Sequence, residues 1–285
     1  MSPKLDQNAV KRIVAVAMTV CIVGIAVLLY ACTSDNDRAE GPEEVASLPP
    51  LAATEIHSGL DYALDTVAKD KTVPALFIDS LDVNLDRIRD VEEKKATFFR
   101  IMLPHIAREN DRIRAERSKI YDAAGDVPAP LFEKYEVDDG SVDELLRRVD
   151  VVPASLVLAQ AALESGWGTS RFARKGNNFF GMRTYNEDVK GMEPREADGF
   201  KVMVFRDIGH SVRVYMKNLN THDAYADFRQ ARAKERASGA APTGHTMTNY
   251  LTSYSEIPEK YGKRLRGMID RNDLHRFDGV RVADN

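Results

Sequence analysis

A carboxylate, Glu164, closes an apolar helical run and is followed at once by a glycine-rich, aromatic turn, in the stretch LVLAQAALESGWGTSRFARKGNNFFG from Leu156 to Gly181. Pro153 can open a helix at its first turn, and the residues from Ala154 are good helix formers until Gly166 and Gly168 stop it. On that helix Val157, Gln160, Ala161 and Glu164 share one stripe, with Leu156, Leu163 and Trp167 beside it. The acid therefore borders buried surface, and it faces the negative end of the helix dipole. Both effects favour its neutral form. A carboxylic acid still protonated near neutral pH is what glycoside cleavage needs, because the leaving sugar oxygen must receive a proton.

The residues after Glu164 suit a sugar groove. Trp167, the one tryptophan of the chain, is followed by Asn177, Asn178 and Phe179, and aromatic faces with amide side chains are the usual furniture of a polysaccharide cleft. Trp167 serves equally well as a core anchor. Tyr215 in SVRVYMKNLN, and Tyr254 with Tyr261 in YSEIPEKY, are further candidates, either as groove residues that orient water or an acetamido group or as helix-packing residues with satisfied hydroxyls. The six histidines form no HExxH or comparable cluster, and the only cysteines are Cys21 and Cys32, so no metal or other cofactor is expected. No Gly-x-Ser-x-Gly elbow or phosphate-cradling loop occurs.

These residues must be held by a core, and the chain is long enough to supply one: 285 residues, 44% hydrophobic and 29% charged. Helical pattern resumes near Asp82, with an apolar stripe at Phe98, Ile101, Ile106, Ile113 and Ile120 that Pro104 interrupts, which predicts two consecutive helices. After the NNFFG segment, GMEPREADGFKVMVF predicts a β-hairpin turning at Asp198-Gly199, with a strand over 200–205. Residues 151–285 carry 21 basic and 16 acidic side chains, a mild excess compatible with an anionic polymer. No basic tract with interleaved aromatics marks a nucleic-acid partner.

The N-terminus points outward. Residues 13–31 form an uncharged apolar run preceded by Lys11-Arg12 and followed by acidic residues, long enough to span a bilayer with the rest of the chain exported. LYAC at 29–32 also looks like a lipoprotein cleavage box with Cys32 as the lipidated residue. Either version tethers the protein to a membrane and faces it toward the periplasm or another extracytoplasmic space. The acidic, Pro-containing segment that follows reads as a linker.

PASLVLAQAALESGWGTSRFARKGNNFFGMR resembles the signature of the glucosaminidases that cleave bacterial peptidoglycan, glycoside hydrolase family 73, and KKATFFRIMLPHIARENDRIRAER with SVRVYMKNLNTHDAYADFRQARA is similar to its Bax-type branch. The resemblance implies an α+β, mostly helical, lysozyme-like domain with a small β-hairpin, hydrolysing the β-1,4 bond between N-acetylglucosamine and N-acetylmuramic acid in peptidoglycan glycan strands. Glu164 stands where the family has its general acid. The family usually carries its second carboxylate on the hairpin, where Glu196 is the first candidate and Glu193 the second, although neither matches the family's Thr-Glu-Tyr pattern. An acetamido group of the substrate acting as nucleophile is the competing mechanism. A lytic transglycosylase and a catalytically weak wall-binding scaffold are the alternative functions. The expected organisation is an anchor or lipoprotein signal over 1–32, a largely disordered linker over 33–81, a helical extension over 82–146 packed on the catalytic domain, and that domain over 147–279.

Overall fold

The expected linker overlaps the folded core. The structure is a computed structural model that describes residues 60–81, 85–195, 199–254 and 258–284. Within the first of these segments lie helix α1 (Leu64–Asp70) and strand β1 (Thr72–Val73), and Leu60, Leu64, Val67, Val73, Ile78 and Leu81 are all buried. The acidic composition that suggested a linker hides an apolar stripe, because the charges of α1 lie on its outer face. The proposed anchor, residues 13–31 with Cys32, lies outside the described residues, among which no helix is long and apolar enough to cross a membrane.

The predicted break at Pro104 does not occur. Helix α2 (Val91–Asp122) runs through it for 32 residues, capped at its start by the Asp90 side chain, which accepts from the Glu93 amide at 2.7 Å. Pro104 has no amide hydrogen to give to the Arg100 carbonyl. That carbonyl accepts instead from the Tyr62 hydroxyl at 2.7 Å, and Arg100 Nε returns a bond to the Tyr62 carbonyl at 3.0 Å. The N-terminal segment thus supplies the hydrogen bond that the proline removes.

After α2 come α3 (Ala129–Lys134), α4 (Val142–Arg148), α5 (Ala154–Ser165), α6 (Arg171–Gly176) and strands β2 (Arg183–Thr184), β3 (Gly191–Met192) and β4 (Lys201–Met203). Then follow α7 (Ile208–Thr221), α8 (Ala226–Ala237), α9 (Gly244–Met247), α10 (Pro258–Arg271) and β5 (Arg281–Val282). The hairpin is β3–β4, antiparallel with Gly191 opposite Met203, and β2 adds a third strand in the order β2-β4-β3. The paired strand, 201–203, is shorter than the expected 200–205. β5 pairs parallel with β1, so the chain is folded past the expected boundary at 279.

One hydrophobic core serves the regions expected as extension and catalytic domain. α5 is buried from Ala154 to Ala162 and packs against α2 and α10, and α2 also packs against α7. Polar clamps set the register at the junction. The buried Asn110 of α2 exchanges two hydrogen bonds with the backbone of Val152, at 2.9 and 3.0 Å. Arg232 of α8, with no exposed side-chain surface, donates to the carbonyls of Asp150 and Val151 and to Asn220 Oδ1, while Asp150 pairs with Arg236. An isolated buried guanidinium would be costly, but this one is surrounded by acceptors. These bonds set where α5 begins, and therefore where Glu164 ends up.

Candidate active site

α5 is held at both ends. At its start, where Pro153 offers no capping side chain, the Asp278 carboxylate accepts from Ser155 N and Ser155 Oγ, each at 2.8 Å. Gly244 approaches so closely that a Cβ there would lie 2.6 Å from the Leu156 backbone nitrogen, which only glycine permits. At its end, Gly166, Trp167 and Gly168 are three successive residues with positive φ, at 58°, 61° and 77°. A tryptophan in that conformation is strained by about 1–2 kcal/mol. Packing holds it there: the indole meets Phe98 and Phe99 of α2 edge-on at 5.8 and 5.5 Å between centroids, and Ser165 Oγ accepts from Gly168 N at 2.8 Å. Trp167 is thus an anchor for the turn, with Lys95 Nζ 5.7 Å from its ring.

The next three sequence candidates also serve the turn. Asn177 takes a left-handed φ of 49° at the end of α6 and donates to the carbonyls of Phe205 and Arg206 at 3.3 Å. Asn178 is buried, its amide donating to the carbonyls of Met182 and Met203 while its oxygen accepts from the amides of Phe180 and Met182. Phe179 has no exposed surface. As placed, Asn178 has no free amide valence for a sugar and Phe179 no accessible face, so both belong to the scaffold that ties the loop to β4.

Glu164 is the junction of a buried polar relay. Tyr261 donates to Glu164 Oε1 at 2.9 Å. Gln160, one turn earlier on α5, donates from Nε2 to the Tyr261 hydroxyl at 3.1 Å, and Tyr215 donates to Gln160 Oε1. Tyr215 is itself stacked flat on Phe180 at 3.9 Å, and Tyr254, stacked on Tyr261 at 5.2 Å, donates to the Phe180 carbonyl at 2.8 Å. Tyr261, Leu265 and Ile269 form the buried stripe of α10 that faces α5, which explains how a distant tyrosine reaches the acid.

The relay has a polarity. Because Gln160 occupies the acceptor side of the Tyr261 oxygen, the Tyr261 proton points to Glu164 Oε1, so the proton of a neutral Glu164 must ride on Oε2. Oε2 accepts from no described residue and lies beside the exposed Gly181, where a Cβ would stand 3.8 Å away. Burial pushes the Glu164 carboxyl up, opposed by the Tyr261 hydrogen bond and by the charges of Arg264 and Arg183. The helix-end acid therefore has one oxygen fixed by Tyr261 and the other, the one that carries the proton in the neutral form, beside Gly181.

Of the hairpin candidates, Glu193 is exposed and its carbonyl accepts from Arg171, while Glu196 lies outside the described residues. Sequence reasoning missed Gln160 as part of the site, although a polar residue four positions before the acid on a buried stripe was the signal for it. It also missed Arg183, a half-buried cation on β2.

A family model described as Glucosaminidase, mannosyl-glycoprotein endo-beta-N-acetylglucosaminidase, matches residues 140–274. The chain is 36% identical over 198 residues to Protein bax of Escherichia coli (strain K12), covering 63% of this chain and 70% of that protein. It is 26% identical over 145 residues to Exo-glucosaminidase LytG of Bacillus subtilis (strain 168), spanning 50% of this chain and 51% of that protein. Among solved structures, the catalytic domain of the autolysin Auto from Listeria monocytogenes is 19% identical with a TM-score of 0.35, over 76% of this chain and 98% of that one. The chain belongs to the glucosaminidase family, and to the Bax-type branch of it.

Proposed function

We propose that this protein hydrolyses the β-1,4 bond on the reducing side of N-acetylglucosamine in peptidoglycan, with Glu164 as general acid. The observation that carries this reading is the asymmetry of the Glu164 carboxyl: Oε1 held by Tyr261 at 2.9 Å, and Oε2 beside Gly181 with no hydrogen bond from any described residue. A proton on Oε2 passes to the glycosidic oxygen as its bond to the anomeric carbon breaks, and the positive charge that develops on the sugar ring favours the carboxylate left behind. Membership of the glucosaminidase family and the similarity to an exo-glucosaminidase support a glycan containing N-acetylglucosamine as substrate. Membrane tethering through residues 13–31 or a lipidated Cys32, with the domain facing the periplasm or an equivalent space, belongs to the same proposal, since that is where the polymer lies.

Product analysis tests it. Purified peptidoglycan treated with the protein should yield strands with reducing-end N-acetylglucosamine, identified by mass spectrometry. Anhydro-muramyl ends would assign a lytic transglycosylase instead, and binding without any new ends would assign a scaffold. Release of single residues as against internal fragments separates exo from endo cleavage.

A further inference from the structure

Beside the acid, β2 presents a cation that no described residue matches. Arg183 makes no ion pair or hydrogen bond with any described residue, and its Nη1 is buried without a partner. Its guanidinium lies over the Phe200 ring at 4.3 Å. Two residues on, Tyr185 packs against the same Phe200 ring at 6.2 Å between centroids, and its buried hydroxyl has no partner either. Arg183 and Glu164 are near enough for each to bias the titration of the other. Arg232, whose Nε also lacks a hydrogen bond, is by contrast held through both terminal nitrogens by backbone and side-chain acceptors and lies 3.6 Å from the Asp150 carboxylate. A buried donor left unmade costs about 1–3 kcal/mol, and more when it is charged. Such a group next to a catalytic acid is explained by an acceptor that arrives with the substrate.

A guanidinium stacked by its face keeps its edge for a planar, two-oxygen partner. We propose that Arg183, with Tyr185, binds a carboxylate of the glycan substrate next to the bond that Glu164 cleaves, and so selects muramyl strands over uncharged N-acetylglucosamine polymers. This rests on the function proposed above. The carboxylate belongs either to the lactyl ether of a muramic acid stripped of its stem peptide or to the stem peptide itself.

The test uses three forms of one glycan strand: stem peptides intact, stem peptides removed to free the lactyl carboxylate, and the latter with that carboxylate converted to its methylamide. Binding is measured by calorimetry in a Glu164→Gln background, and kcat/KM with the acid in place. Arg183→Gln should lose about 10- to 100-fold in affinity and kcat/KM on carboxylate-bearing strands and be unchanged on the methylamide, with Arg183→Lys intermediate. The free lactyl strand being preferred assigns the lactyl carboxylate, and preference for the intact strand assigns the stem peptide. Equal losses on charged and masked strands, or none on either, would overturn the proposal. Absence of cleavage by the unaltered protein would remove the hydrolase reading alone, because the binding comparison still decides the role of Arg183.

Discussion

The Tyr261 hydroxyl lies 2.9 Å from Glu164 Oε1, joining residues 97 positions apart and fixing which carboxyl oxygen can carry a proton. Replacing Tyr261 by Phe removes an interaction that favours the ionised acid, so the pKa of Glu164 should climb further. Because a general acid works protonated, the role proposed for Glu164 requires the basic limb of the pH–kcat profile to move to higher pH. A limb that stays in place or moves down would contradict the relay. The change also leaves Gln160 Nε2 without its acceptor, at a cost of about 1–3 kcal/mol in stability, readable by urea unfolding.

Glu164→Gln should keep the fold and lower turnover by about 10²–10⁴. It should also stabilise the protein at alkaline pH. A carboxyl whose folded pKa is raised above its ordinary 4.5 contributes most below that value and loses its contribution as pH rises through the folded pKa. The amide has no such loss, so the gain in melting temperature over the unaltered protein should grow as pH rises above 4.5 and through the folded pKa of Glu164. Near-normal turnover in a folded Gln variant would remove Glu164 from the mechanism.

If Glu196 is the base that activates water, Glu196→Gln should lower kcat more than binding, with azide restoring part of the turnover as a glycosyl azide whose configuration reports the face of attack. A wild-type rate in the Glu193/Glu196 double variant, together with strong inhibition by a thiazoline, would assign the nucleophile to the acetamido group of the substrate.

Tyr62→Phe should destabilise the protein by about 1–3 kcal/mol, because the Arg100 carbonyl loses the donor that compensates Pro104. In Pro104→Ala the main-chain amide returns, and the same Tyr62→Phe change should cost less. A double-mutant cycle on chemical unfolding gives the coupling, and zero coupling would refute the compensation.

A reporter active only outside the cytoplasm, fused after residue 50, should be active. Activity of a cytoplasm-dependent reporter at that position would refute export. Cys32→Ser then separates the two tethers, since only a lipoprotein loses its lipid label.

The helix that carries Glu164 was local enough to read from the chain. Glu164 announces itself because an apolar helix, a terminal acid and paired glycines are all short-range features, and the hairpin follows from a turn signal next to a β-prone run. The sugar-groove expectation for Asn178 and Phe179 meets two buried side chains instead. Composition cannot tell an amide offered to a ligand from one satisfied by the backbone of Met182 and Met203.

Sequence alone determined the helix that carries Glu164 and its breaking glycines, since propensity and periodicity act within a few residues, whereas the burial that favours the neutral acid comes from packing. Tertiary structure decided the rest. Whether Pro104 ends a helix depends on Tyr62, which arrives from a segment whose composition resembles a linker. Which oxygen of Glu164 is held by a donor depends on Tyr261, Gln160 and Tyr215, three side chains from three helices. A hydrogen-bond relay is directional, and its direction is set only when every donor has been matched to an acceptor in space.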